Sequence, residues 1–507
     1  MSVWLRRGER SYRWDGYALF GRPPVVVPPA WALTERVWEA IGERPRLSEA
    51  EVDPADWLDE VVGSVPDGIE RLCLVIPDGT RVGAWQSLLP ALLRALGRTG
   101  ASSRLLLVAS GTHAVLDPAA LDAHLRPEPS ERQEIRKSLN LAEHREHPGG
   151  PENPLEGWAV IQNGDKGFDG HVSVGRTPRA TPVRLHPGYL ASDYKILLGE
   201  VSYHYFAGFG GGPKLVFPGL ADVVGAATNH QLAFRIDGAN DSRGSGFSGS
   251  GVGSSGTAGS GASESSPGEV RLETLRWHLG CAPASLSGNP VHEDLLEAVS
   301  LAPPDWVITA AESPPPDPDP AFPRPFPTTV LQGPYPLAFD RAVELREAIG
   351  RVALTKAPDL LLADAGGRPR DATFLQAHKS LQHAARFVAP GGRILLAAGC
   401  EEGMGSRTLE RYAANPGGFR PFAGTDDDPR AVLHLQTLIA MRHAVSQTRV
   451  GLWSELPAGI VRALGMEPLS SENEAREWCA SAGGDIHWGW LPRAERFLPA
   501  PGWLGGR

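Results

Sequence analysis

Short apolar runs alternate along this chain with longer stretches of helical period, an alternation that admits few architectures other than α/β. "LCLVIPDGTR" (72–81) reads as a buried strand opening into a polar loop, and "AWQSLLPALLRALGRTG" (84–100) as a helix closed by glycine. "RLLLVASGTH" (104–113) and "YKILLGEVSYH" (194–204) repeat the strand-then-polar-cluster design, and "DLLLADAGG" (359–367) and "GGRILLAAGC" (391–400) supply two later strands. In open parallel sheets ligands gather outside the carboxyl ends of the strands. Asp78, Thr80, Arg81, Thr112, His113 and His204 are therefore expected to share one crevice.

At 507 residues the chain has room for two or three domains. Its formal net charge of −10 argues against a general nucleic-acid or anionic-membrane surface, so any anion must be bound locally. Cys73, Cys281, Cys400 and Cys479 lack CxxC spacing, which indicates neither a zinc cage nor a disulfide framework and leaves them as buried thiols. The N-terminus lacks a signal-peptide core and no apolar run reaches the roughly 18 to 20 residues that span a bilayer, giving a cytoplasmic expectation. Residues 237–269 are dominated by Gly and Ser and read as a flexible surface insertion; the proline-rich 313–327 reads as an extended connection.

"YHYFAGFGGGPKLVFPGLA" (203–221) gathers bare backbone beside one amine. A P-loop needs Gly-Lys-Ser/Thr, whereas Pro213 precedes Lys214 and Leu215 follows it, so the magnesium-holding hydroxyl is missing. The glycines serve equally as a tight turn with positive φ. His113 and His204, both at strand ends, form a candidate acid/base pair, because imidazole titrates near neutrality. Arg81 has the fork geometry to grip a carboxylate, or equally to pair with Asp78 three residues earlier. Gln376 and Lys379 are spaced to share one helix face, which is either a solvated surface or a ligand-facing one. His230 is an isolated imidazole with no second ligand at fixed spacing.

Taken in order, "DGTR", "SGTH", "GEVSYHYFAGFGGGPKLVFPG", "NH", "GNPVHED", "DAGGRPRDATFLQAHKSL" and "PGGRILLAAGCEEGMG" resemble the lactate racemase family, whose members use a nickel-pincer nucleotide. The blocks run from about residue 70 to about 406. The resemblance implies two α/β domains with parallel-type sheets and the active site in the cleft between them, here 1–335 carrying cofactor and catalytic histidines and 336–507 closing the site. It implies that Lys214 tethers the pyridinium mononucleotide as a thioamide, that His230 ligates nickel, and that His113 and His204 are the two acid/base histidines. Arg81 and Lys379 would hold the substrate carboxylate with Gln376 beside them. Asp78 and Thr80 would orient Arg81 or touch the cofactor, which Phe206, Gly210, Gly211 and Gly212 would also contact.

Val82, Ala114 and Leu375 depart from the family pattern next to, not at, these positions, and so bear on the shape of the substrate pocket. The implied reaction inverts a 2-hydroxy acid by moving the α-hydrogen as hydride while a histidine takes the hydroxyl proton, leaving a 2-keto acid that is reduced on its other face. Implied partners are that small-molecule substrate and the enzymes that make the cofactor, with no nucleic acid or membrane. Two alternatives stand beside it: a nicotinamide-dependent 2-hydroxy acid dehydrogenase, which "GFGGGPK" matches only in glycine count, and a non-catalytic nickel or cofactor carrier.

Overall fold

The computed structural model describes residues 2–15, 19, 54–113, 115–125, 155–164, 170–236, 272–312, 328–354, 356–419, 433–483 and 485–502. The Gly/Ser stretch 237–269, the proline-rich 313–327 and Ala114 lie outside the described residues.

Two parallel-rich sheets organise the chain. The first has six strands in the order Thr328–Pro334, Trp306–Glu312, Tyr194–Gly199, Arg71–Pro77, Ser103–Ala109, Trp158–Gln162, with Thr328–Pro334 antiparallel at one edge and the other pairings parallel. The second has five parallel strands in the order Glu467–Leu469, Arg449–Trp453, Arg393–Ala397, Leu360–Asp364, Trp488–Leu491. The α/β expectation is met, and the strands read from sequence fall where expected.

Each sheet is covered on both faces, which explains why its strands read as apolar runs and not as alternating ones. Leu72, Leu74 and Ile76 face Leu88 and Leu92 of the helix Trp85–Leu96, while Cys73, Val75 and Leu107 pack on the other side with Val216, Phe217 and Leu295. In the second sheet Leu361, Ala363, Ile394 and Leu396 meet Leu381 and Leu438, and Leu360, Leu362, Leu395 and Ala397 meet Trp14 and Trp478. The four cysteines are free and buried.

Chain order and packing part company at two places. The N-terminal hairpin of Ser2–Arg7 and Arg10–Asp15 sends Leu5 and Trp14 into the second sheet's core, and the Gly8 N–H donates to Asp371 Oδ2 at 2.7 Å. Phe234 and Leu275, from the paired strands Phe234–Ile236 and Leu275–Trp277, and Leu272 from the 3-10 turn just before the latter, also join that second core.

The order of each sheet contains a switch point. In the first, the chain runs outward from Arg71–Pro77 to Trp158–Gln162, then returns to Tyr194–Gly199 on the opposite side; in the second, it does the same between Leu360–Asp364 and Trp488–Leu491. Crevices open outside the carboxyl ends of strands at such points. Residues just beyond all four of these ends, Asp78, Glu200, Ala365 and Arg493, line one common cavity.

Candidate active site

The cavity has a volume of about 200 Å³ and draws its walls from both sheets. Asp78, Thr80, Arg81, His113, His204, Phe206, Gly210, Gly211, Lys214, His230, Gln376 and Lys379 all line it. Gly212 does not: it has φ +51°, and a Cβ there would lie 2.3 Å from the Phe339 ring, so that glycine serves packing. Gly211 is similar in cause, with φ +77° and a built Cβ 2.2 Å from the Glu200 carbonyl oxygen. Much of the bare backbone therefore answers the chain's own close approach.

His113 stands on the loop after Ser103–Ala109 and bonds through Nδ1 to Asp78 Oδ2 at 2.9 Å, with Thr80 Oγ1 3.4 Å from the same nitrogen. Desolvation pushes the Asp78 carboxyl up, but the charge and hydrogen bond of His113, then Arg81 and Thr80, outweigh it and hold it well below the usual carboxylate range. An ionised carboxylate only accepts, so Nδ1 carries the proton and Nε2 is left as the basic nitrogen. The pairing of Arg81 with Asp78 that the sequence left open is not formed. Arg81 bonds locally through its backbone, its N–H donating to Asp78 O at 3.0 Å and its carbonyl accepting from Trp85 Nε1 at 2.8 Å. Its guanidinium makes no ion pair among the described residues.

Phe206 is the hub of the opposite side. Its ring centroid lies 4.6 Å from that of His204, 5.0 Å from that of His230 and 5.1 Å from Lys214 Nζ. Asn289 holds this hub in place: its Nδ2 donates to Phe206 O at 2.9 Å while its Oδ1 caps the helix Pro290–Ser300 by accepting from the N–H groups of Val291 and His292. His230 sits in the last turn of the helix Val223–Gln231, fixed by its neighbour Asn229, whose Nδ2 donates to Val291 O at 3.0 Å and to Asp294 Oδ2 at 2.9 Å. His204 Nδ1 accepts from the Ala207 N–H at 3.3 Å.

The cations of the site disfavour one another. Desolvation, then Arg81, lowers the Lys214 amine to about 7. Desolvation, then Arg81, depresses Lys379 well below the ordinary lysine value, and its Nζ donates to Gln376 Oε1 at 2.5 Å on the shared helix face Phe374–Ala384. Desolvation, then Lys214, Arg81 and Lys379, keeps His204 neutral. An anion entering the cavity would relieve this mutual repulsion.

His230 is buried, and neither of its ring nitrogens has a hydrogen-bond partner among the described residues. Desolvation, then Lys214, His434 and His113, holds it far below the ordinary imidazole value, so it is a neutral ligand-grade imidazole. Among the described residues no group of three or more His, Cys, Asp or Glu side chains converges on a metal position. A metal at His230 would need its other donors from a non-protein group, and Lys214, with a part-neutral amine beside the same aromatic ring, is placed to carry one.

Several lining residues carried no sequence signal. His434 is one, with φ +69° just ahead of the helix Leu435–Gln447. Arg370, Arg493, Glu495 and Arg496 are others, reaching the cavity only because the second sheet delivers them. Arg370 Nη2 donates to Val82 O at 2.8 Å, Arg496 Nη2 pairs with Glu200 Oε1 at 2.7 Å, and Tyr205 Oη lies 2.8 Å from Thr437 Oγ1, so the two halves are tied across the cavity rim.

Residues 157–242 match the family model for the lactate racemase N-terminal domain, a span that holds His204, Lys214 and His230. Over that span the chain is similar to lactate racemases. Its fold agrees: it is similar to the structure of the lactate racemase apoprotein from Thermoanaerobacterium thermosaccharolyticum, with a TM-score of 0.65 and 16% identity over 98% of this chain and 100% of that one. It is also similar to a crystal structure of a protein from Thermotoga maritima, with a TM-score of 0.53 and 14% identity over 89% of this chain and 98% of that one. No curated protein matches this chain in sequence. No helix among its described residues is long and apolar enough to cross a membrane.

Proposed function

We propose that the protein is a nickel-pincer nucleotide-dependent racemase or epimerase of a 2-hydroxy acid. The observation that carries this reading is the buried imidazole of His230, unpartnered among the described residues, beside the part-neutral amine of Lys214, in a cavity that His113, His204, Arg81 and Lys379 also line. The family match and the fold support it.

Lys214 tethers the organic group and His230 supplies the protein ligand to nickel. When bound, this cofactor supplies an acceptor for the substrate's α-hydrogen as hydride, by way of a bound 2-keto acid. The chain's own residues do the rest. Arg81 and Lys379 clamp the carboxylate, Arg81 through its two-pronged fork. Because both stay on the carboxylate, the hydroxyl carbon is held near its reaction partners throughout, which keeps the return step effectively intramolecular. His113, with Asp78 on Nδ1, takes the hydroxyl proton at Nε2, and the adjacent carboxylate stabilises the imidazolium that forms. His204 handles the proton for the other enantiomer. This reading keeps the cytoplasmic placement, where the cofactor-making enzymes would load Lys214.

Intact mass and metal content test it. Protein produced alongside the cofactor-making enzymes should exceed its sequence mass by one cofactor, and Lys214→Ala should carry no adduct. His230→Ala should keep the adduct but lose most of the nickel. An unmodified wild-type mass together with activity supported by added nicotinamide cofactor would overturn the reading in favour of a dehydrogenase.

A further inference from the structure

His434 is held in an uncommon way. It occupies the left-handed region at φ +69° and ψ +9°, where a residue with a Cβ is seldom found unless its surroundings enforce it. Two side chains at the start of the helix Arg407–Ala414 provide that enforcement. Thr408 Oγ1 donates to Leu433 O at 2.6 Å, and Ser406 Oγ lies 3.1 Å from His434 Nδ1.

Ser406 Oγ already accepts from the Leu409 N–H. With the Ser406 hydroxyl proton donated to His434 Nδ1, the neutral ring carries its own proton on Nε2. That N–H has no hydrogen-bond partner among the described residues, and the ring lines the cavity. His434 feels the charges of His113 and Lys379 and in turn acts on His230, so its ring faces the part of the cavity where those side chains meet.

An inventory of lactate against this wall leaves a remainder. Arg81 and Lys379 take the carboxylate, and His113 and His204 take the hydroxyl. Only the methyl group is left to meet His434, and an N–H donor closed off against a methyl loses its hydrogen bond to water without replacement. Gln436 and Thr437, the next polar residues of the same segment, line the cavity as well. We propose that His434 is a specificity-determining residue that donates from Nε2 to an oxygen on C3 of the substrate, making the substrate a 2,3-dihydroxy acid of the aldonic class. This rests on the 2-hydroxy acid reading above and narrows it.

Lactate and glycerate differ at C3 by one hydroxyl, so they isolate the contact. Titration calorimetry on cofactor-loaded protein should show glycerate binding at least about tenfold more tightly than lactate, the discrimination expected of a site built to hydrogen-bond a hydroxyl. His434→Phe, similar in shape but without a donor, should bring the two dissociation constants to within about twofold. His434→Asn, which tolerates the left-handed backbone and keeps an N–H donor, should retain most of the preference. Equal affinity for the two acids in the wild type would overturn the proposal. So would an unchanged ratio in His434→Phe, or loss of the Lys214 adduct in that variant, which would assign the residue to the cofactor instead. Because the readout is binding, failure of the protein to turn over either acid would count against the racemase reading while the ratio still decided the role of His434.

Discussion

Lys214 is buried at an electrostatic cost. Its amine ordinarily titrates at 10.5 and is brought down to about 7 by desolvation and then by Arg81. Between those values the unfolded chain binds a proton that the folded chain does not, so the unloaded protein should gain stability as pH rises from about 7 towards 10. Lys214→Met should flatten that slope and raise the urea midpoint at pH 7; a variant with an unchanged pH slope would show that the amine is not the source. His113 makes a second prediction at this scale. Asp78→Asn removes the charge that steadies the imidazolium and lets either ring tautomer form, so kcat should fall by roughly 10² or more, the usual worth of a positioned acid/base group, with KM little changed. An equal loss in both parameters would place Asp78 in substrate binding instead.

The segment Ser202–Leu215 and the helix after Asn289 act as one unit. Asn289 bonds to Phe206 O and to Ser285 O at 3.0 Å while capping its own helix, so one side chain fixes a loop, a turn and a helix start. Asn289→Ala should cost about 1–2 kcal/mol from the cap alone, read as a lower denaturant midpoint, and should also reduce cofactor loading because the Phe206 hub loses its tether. Stability loss with full loading would confine Asn289 to capping. Gly211 works the same way: its positive φ and the Glu200 carbonyl leave no room for a side chain, so the loop that delivers Lys214 has one backbone path. The sequence reader sees four glycines there and thinks of a ligand, whereas the contacts show that at least two of them answer neighbouring protein atoms.

Two doubly wound sheets with switch points on one cavity give the molecule its logic. Neither sheet alone holds a full set of groups: His113, His204, Lys214 and His230 come with the first, Gln376, Lys379 and His434 with the second. Contacts across the rim, such as Arg496 with Glu200, keep the sets in register. The Gly/Ser stretch 237–269 follows the strand Phe234–Ile236, whose last residue pairs directly with Leu275. Loop closure cost grows only slowly with length and this composition has little apolar area to bury. Replacing 237–269 with a short linker should therefore leave the melting temperature within about a degree of the parent, since 0.5 kcal/mol moves a chain this size by roughly half a degree; a larger drop would show that the stretch packs.

Much of this was legible in the residues. The apolar runs ending in "PDGTR", "SGTH" and "SYH" announced parallel strands and the crevice beyond them, because strand period, burial on both faces and polar strand ends are local properties of a chain. Gln376 and Lys379 met as their three-residue spacing required. Other features exist only after folding. Asp78 has Arg81 three residues away and His113 thirty-five away, and it is His113 that it binds. His434 and Arg493 drew no reading from the sequence, and it is the fold that brings them to the cavity. The N-terminal hairpin, first in the chain, completes the second core through Leu5 and Trp14. Periodicity is written in neighbours along the backbone, whereas the pairing of charges and the depressed basicity of Lys214 and His230 depend on which distant groups are buried together.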